Sequence, residues 1–382
     1  MSICSKLSTP IAVLLVLSMR LLAGCAAATP VPATFTPIPP TFTPVPPTPT
    51  LPPPTPTSIV DAYSYIETGT IEIGSAGEGI ASLGLSDDGN TLAYGTYSDN
   101  LVHLVDAASL EEIRLLEGHT APVSGVVFSP NGDILASTGT TGLPPNVDGS
   151  VRLWNVATGE QLTVYKTSGI AQLSFSPDGT LLAGASGGNP VQVFLWDMNT
   201  LAQKSILKNV FLTASFSPDG KLLATSNRDN FVHVMDIGTG QEAKSLSGHD
   251  GWIWSTAFAP NGKILASGSD DATIALWDVE TGEKIKTLAG HETEVGFLRF
   301  NTDGSVLASV GNGIIIKREE GQFNISFGAG DQFIQLWDVT SGEKITTIGN
   351  KGEFSHVSFS SDWSTIATGD SSGVIHLWRL QK

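Results

Sequence analysis

A polar turn behind a large apolar residue recurs along this chain, and the recurrence limits its possible folds more than any other feature. It reads LSDDG from Leu85, FSPNG from Phe128, FSPDG from Phe175 and again from Phe216, FAPNG from Phe258, FNTDG from Phe300 and FSSDW from Phe359. Proline at the second position, with Asn-Gly or Asp-Gly after it, is β-turn chemistry. A second marker closes each unit: LVD ending at Asp106, LWN at Asn155, LWD at Asp197, VMD at Asp236, LWD at Asp278 and Asp338, and LWR at Arg379. Successive ends lie 49, 42, 39, 42, 60 and 41 residues apart. Between the markers run segments such as KILASGS (Lys263–Ser269) and ATIALWD (Ala272–Asp278), with the alternation of half-buried strands. A third marker, Gly-His, stands at Gly118-His119, Gly248-His249 and Gly290-His291.

A period near 42 residues, with Gly-His ahead of the strands and Trp-Asp closing them, resembles the WD-repeat family of β-propellers. The resemblance covers about residues 60–382 and implies an all-β fold, a seven-bladed propeller of four-stranded blades. The pattern is uneven. Only the units ending at Asp197, Asp278 and Asp338 keep Trp-Asp unaltered, and four units lack Gly-His. The chain ends predict how the ring closes. Glu67-Thr68-Gly69 matches Glu280-Thr281-Gly282, which directly follows Trp277-Asp278, yet no Trp-Asp precedes Glu67. The missing partner is Trp378-Arg379 at the far end, so the segment around Ile66 to Ile73 is expected as the outer strand of the last blade. That pairing removes open blade edges.

The unit from Gly248 to Asp278 holds His249, Ser267 and Asp271, the side-chain types of a hydrolase triad. The same set recurs as His119, Ser137 and Asp148, and as His291, Ser309 and Asp331, with Trp154, Trp277 or Trp337 six residues after each aspartate. An enzyme needs one active site, not copies in register around a ring. In the family this chain resembles, these four residue types form a hydrogen-bonded chain within a blade. Such a chain satisfies an indole N–H and an imidazole that would otherwise be buried unpaired. No catalytic residue is expected. His103, His233 and His376 stand two residues before the Val, Met or Trp of the closing marker, where other units carry Arg152, Ala275 and Gln335, so they read as strand positions. His356 alone makes neither a metal site nor a base–nucleophile pair. No phosphate loop, Cys-x-x-Cys or nucleophile elbow is present, and neither metal nor cofactor is expected.

The ends of the chain differ in character. Lys6 and Arg20 are the only charges before Ser58, which leaves 18 basic and 37 acidic side chains after it, a net of −19. Such a surface repels phosphate backbones and anionic lipid, so no nucleic-acid partner is expected. The two cysteines, Cys4 and Cys25, both precede the repeats, so no disulfide framework or cysteine metal site exists in the body. Residues 1–24 read as an export signal, with Lys6 ahead of the short apolar run IAVLLVLSM. LAGC, ending at Cys25, resembles the lipobox of bacterial lipoproteins, which implies a lipid on Cys25; Arg20 interrupts the apolar segment and departs from that pattern. Thirteen of the 22 prolines fall between Cys25 and Ser58, alternating with threonine, so residues 25–58 join no sheet or helix. As polyproline II they form a stalk of at most roughly 100 Å. Residues 59–382 are expected as the propeller, lipid-anchored outside a bacterial cell membrane and touching it only through that anchor.

With catalysis set aside, recognition remains. Two features interrupt the repeat on the face where such propellers usually dock partners. The 60-residue spacing holds an insertion, Gly311 to Gly330, that reads as a β-hairpin carrying Ile316, Phe323 and Phe327. Trp252 stands three residues past His249, a position that points out of that face in the family, whereas Trp254 reads as core. Arg228 and Asp270 each directly precede the aspartate of their unit. Trp252, Arg228, Asp270, Glu294 and the hairpin are expected to form the contact surface for a protein partner of a monomeric, non-enzymatic scaffold. The rival readings are a propeller enzyme with the hairpin as a lid over the central channel, and a structural subunit of an envelope complex.

Overall fold

Alternation of apolar and polar residues in runs of four to eight, punctuated by the turns above, folds into seven four-stranded antiparallel sheets in the computed structural model. The structure describes residues 63–73, 79–140, 148–167, 169–186, 192–208, 211–311, 314–319, 322–327, 333–349, 354–370 and 372–381, without the side chains of 171, 208, 211, 212 and 312–332. Cys25, the export signal and the proline-rich segment lie outside the described residues. Val60–Lys382 forms one compact unit.

Blade 1 is a simple meander of Ile80–Leu85, Thr91–Thr96, Val102–Asp106 and Glu112–Leu116. The innermost strands of blades 2 to 7 are Val123–Phe128, Ile170–Phe175, Phe211–Phe216, Ile253–Phe258, Val295–Phe300 and His356–Phe359. Innermost strands of blades 1 to 6 pack each against the next, that of blade 7 packs against blade 1, and a shared apolar cluster joins blades 6 and 7. The ring is complete. Both faces of a blade are therefore buried, which is why the middle strands read as nearly continuous apolar runs. Between blades 1 and 2, for example, Ala93, Val102, Leu104 and Leu116 meet Val123, Phe128, Leu135 and Trp154. Each large side chain buried this way contributes about 1.5–3 kcal/mol.

The recurring turns are built alike. Ser86 Oγ donates to Asp88 (2.6 Å) and accepts from the Thr91 N–H (2.9 Å), and the Gly89 N–H donates to Ser86 O (2.9 Å). Glycine in the left-handed region completes the turn at Gly89, Gly132, Gly179, Gly220, Gly262 and Gly304. Blade 7 puts Trp363 there at φ 61°. Its ring is buried against Phe359 and Tyr63, and that burial offsets the backbone cost.

Blade 7 takes its outermost strand from the start of the propeller sequence. Tyr65–Glu72 pairs antiparallel with Val374–Leu380, Glu67 opposite Trp378. The tyrosines ahead of it fasten the seam: Tyr65 OH donates to Trp363 O (2.7 Å), and Asn301 of blade 6 donates to Tyr63 OH (3.0 Å).

In every blade the innermost strand begins and the second strand ends on the same side, here called the upper face. Blade 6 carries its insertion there. Ile314–Glu319 and Gln322–Phe327 form a separate two-stranded sheet between Val306–Gly311 and Ile334–Asp338.

Candidate functional site

Three blades hold the Trp–Ser–His arrangement. In blade 2, His119 Nδ1 lies 2.7 Å from Asp148 Oδ2, and Nε2 lies 2.7 Å from Ser137 Oγ. Trp154 Nε1–H donates to the same Oγ (2.8 Å). The carboxylate can only accept, so Nδ1–H donates to it, Nε2 accepts from the serine O–H, and the serine accepts from the indole. Blade 5 repeats this with His249, Asp271, Ser267 and Trp277, each contact 2.8 Å. In blade 6, Ser309 lies 2.6 Å from His291 Nε2 and accepts from Trp337 (2.7 Å), and the Gln335 amide lies 3.1 Å from His291 Nδ1. Asp331 lies outside the described residues.

These chains carry the proton order of a hydrolase triad but not its access. Ser137, Ser267 and Ser309 are each 0% exposed, and an indole N–H occupies each hydroxyl. Burial alone would raise the pKa of Asp148 and Asp271. Hydrogen bonds from the histidines, from Ser150 or Thr273, and from the N–H of Thr120 or Asp250 outweigh it and hold both well below the usual carboxylate range. Along the central axis, Arg299 is the only Asp, Glu, Lys or Arg in the seven innermost strands. Its Nη2 lies 3.8 Å from Asp87 Oδ1 in blade 1. Among the described residues no group of three or more His, Cys, Asp or Glu side chains is placed to hold a metal ion.

Blades 1, 4 and 7, without Gly-His, carry the imidazole on the third strand instead. His103 lies between Asp99 (3.1 Å) and Glu112 (3.0 Å), His233 between Asp229 (3.0 Å) and Glu242 (2.9 Å), and His376 between Asp370 (3.6 Å) and Glu67 (3.0 Å). In each case the two carboxylates face different ring nitrogens, which is wrong for chelation and right for bridging two strands and a loop. Sequence reading places these histidines on strands but misses their partners. The signal was present: Asp99-His103-Glu112 and Asp229-His233-Glu242 share one spacing. In blade 7, Thr368 replaces the serine and accepts from Trp378 Nε1–H (2.9 Å). In blade 3 the position is Gly184. A Cβ there would lie 2.7 Å from the Trp196 ring, which stacks on Tyr165 and Phe194 instead.

On the upper face the structure brings Trp252 and Arg228 together, the guanidinium carbon 5.7 Å from the indole centroid. Asp270 joins them through its N–H, which donates to Trp252 O (2.9 Å). Gly251 leaves room for the Asp270 carboxylate, whose oxygen occupies the space a Cβ would take. Trp252 and Trp254 are both half-buried, their rings 6.4 Å apart, so Trp254 is not the core residue expected and Trp252 is not fully exposed. Glu294 corrects the expectation of an exposed contact residue. It is only 2% exposed, because it immediately precedes Val295 of the innermost strand and is drawn into the ring with it. The hairpin register pairs Ile314 with Phe327, Ile316 with Ile325 and Arg318 with Phe323. Ile316, Phe323 and Phe327 therefore share one face of the ribbon. A separate cleft of about 380 Å³ at the rim between blades 6 and 7 is lined by Tyr63, Tyr65, Ile348, Trp378 and hydroxyl side chains, with no carboxylate, imidazole or amine in its lining.

Residues 79–312 match the family described as the IFT122 first beta-propeller. Similar curated proteins include cilia- and flagella-associated protein 57 of Mus musculus, 31% identical over 23% of this chain and 7% of its own length. A eukaryotic translation initiation factor 3 subunit I of Aspergillus terreus is 36% identical over 25% of this chain and 26% of its own length. WD repeat-containing protein VIP3 of Arabidopsis thaliana is 27% identical over 40% of this chain and 50% of its own length. The chain thus spans half or less of these relatives. The family match covers most of the ring, and the seven blades, three of them with Trp–Ser–His chains, agree with it: this chain belongs to the WD-repeat β-propellers, in the family of the IFT122 first beta-propeller.

Proposed function

We propose that this propeller is a non-enzymatic scaffold that binds another protein on the upper face of blades 4 to 6, displayed outside a bacterial membrane by a lipid on Cys25 and the proline-rich stalk. WD-repeat propellers generally bind proteins, and one relative is by name a subunit of a translation initiation factor. The observation that carries the reading is the pairing of Arg228 with Trp252 on the face that also bears the inserted hairpin. Aromatic and arginine side chains supply most of the hot spots of protein interfaces. The serines that could have argued for hydrolysis are sealed beneath indoles.

Two measurements test the proposal. Capture of partners from membrane extract by the full chain is expected to fall at least about tenfold for Trp252→Ala, the loss of one hot spot, with the melting temperature unchanged. A parallel fall in melting temperature would show that Trp252 packs rather than binds. Cys25→Ser is expected to move the chain from the membrane to the soluble fraction, and a variant that stays on the membrane would remove the lipid from the account.

A further inference from the structure

The inserted ribbon of blade 6 is an unusual element for a closed ring. Among the described residues its strands, Ile314–Glu319 and Gln322–Phe327, hydrogen-bond only to each other, and neither outer edge is paired. An isolated two-stranded ribbon is marginal in water and needs a further strand or a packing surface. Its two edges differ. One strand, IIIKRE, ends in three charges; the other, QFNISF, has no charge, proline or glycine. Proteins normally blunt exposed edges with such residues. On a chain of net charge −17, the hairpin residues 314–327 hold Lys317 and Arg318 against Glu319 and Glu320, so two copies could meet here without net repulsion.

The uncharged edge is also self-complementary. Take two copies of Gln322–Phe327 antiparallel, with a two-fold axis through Ile325. Phe323 then faces the other copy's Phe327, Ile325 faces its own counterpart, and Asn324 faces Ser326. Partners opposite one another in an antiparallel pair lie on the same face of the sheet. The face that carries Ile314, Ile316, Phe323, Ile325 and Phe327 thus continues across four strands, with Arg318 at its outer rim opposite Phe323 and with Asn324 and Ser326 on the other side. A pairing centred between two residues would instead put the two apolar faces on opposite sides.

We propose that a second copy of this chain pairs edge to edge with Gln322–Phe327, giving a two-fold dimer through a four-stranded intermolecular sheet in place of the monomer that a closed ring suggests. The contact is isologous and so stops at two copies. It is independent of whether Trp252 captures another protein, because it uses only main-chain groups and residues of the ribbon.

The test uses charge pairs on the polar side of the ribbon. Sedimentation of the full chain in detergent is expected to show a dimer. Combining Asn324→Lys with Ser326→Lys places like charges opposite one another twice and should raise the dissociation constant about tenfold or more. Combining Asn324→Lys with Ser326→Asp should restore the dimer, which only the register about Ile325 predicts. A wild-type chain that stays monomeric at its highest soluble concentration would overturn the proposal. So would a like-charged variant that dimerises as well as the wild type, or an opposite-charged variant that stays as weak as the like-charged one.

Discussion

Ser267 is the hub of its blade: it accepts from the Trp277 indole and meets His249 Nε2, both at 2.8 Å. Removing its hydroxyl strands two buried polar groups, each costing about 1–3 kcal/mol. Ser267→Ala is therefore expected to lower unfolding free energy by about 2–6 kcal/mol in urea titrations. The acid limb belongs to the aspartates. Asp148 and Asp271 are held below their ordinary value of 3.8 in the fold. A carboxyl with a depressed folded pKa contributes stability above its unfolded pKa and loses it as pH falls toward the folded one. His356 acts at milder pH. Burial pushes its imidazole from 6.5 down to about 4. The unfolded chain then takes the proton first, so stability falls as pH drops from about 6.5 to about 4. Melting curves across that range should flatten for His356→Gln and not for Asp148→Asn, which acts only at lower pH.

At the scale of the element, blade 3 shows how a strand accommodates a missing side chain. Gly184 stands where blades 2, 5 and 6 have serine, and the Trp196 ring occupies the space. Glycine inside a strand is ordinarily a weakness. Here Gly184→Ala is expected to destabilise by about 1–3 kcal/mol, as overpacking does, with loss of the Trp196 near-UV signal as an independent readout. The blades themselves were legible because the turn and the Trp-Asp marker recur, and the 60-residue spacing marked where the ribbon would be. The histidine bridges of blades 1, 4 and 7 were overlooked for a physical reason. Their acids come from a loop and from the outermost strand, Glu67 from the far end of the chain, and only strand pairing brings them together. Glu294 was misplaced because a charge in a loop reads as exposed, and nothing local reveals that the next residue enters the ring.

At the scale of the whole molecule, the closure is the feature on which the others depend. Tyr65–Glu72 is the outer strand of blade 7, and Tyr63 and Tyr65 tie that blade to blade 6 and to its own turn. A chain beginning at Gly74 loses all of this. It is expected to melt earlier and over a broader range than the full chain; an unchanged, equally sharp transition by calorimetry would refute the role given to the strand.

The same feature has a bearing on synthesis. As the chain leaves the ribosome, Tyr65–Glu72 emerges among the first parts of the propeller, yet Val374–Leu380, the strand it must join, emerges last. Six blades can form along the way, but the ring stays unsealed, with the apolar flanks of its terminal blades uncovered, until Val374–Leu380 has emerged. A nascent chain stalled before Val374 should accordingly be held by chaperones or digested by protease, however complete its earlier blades are.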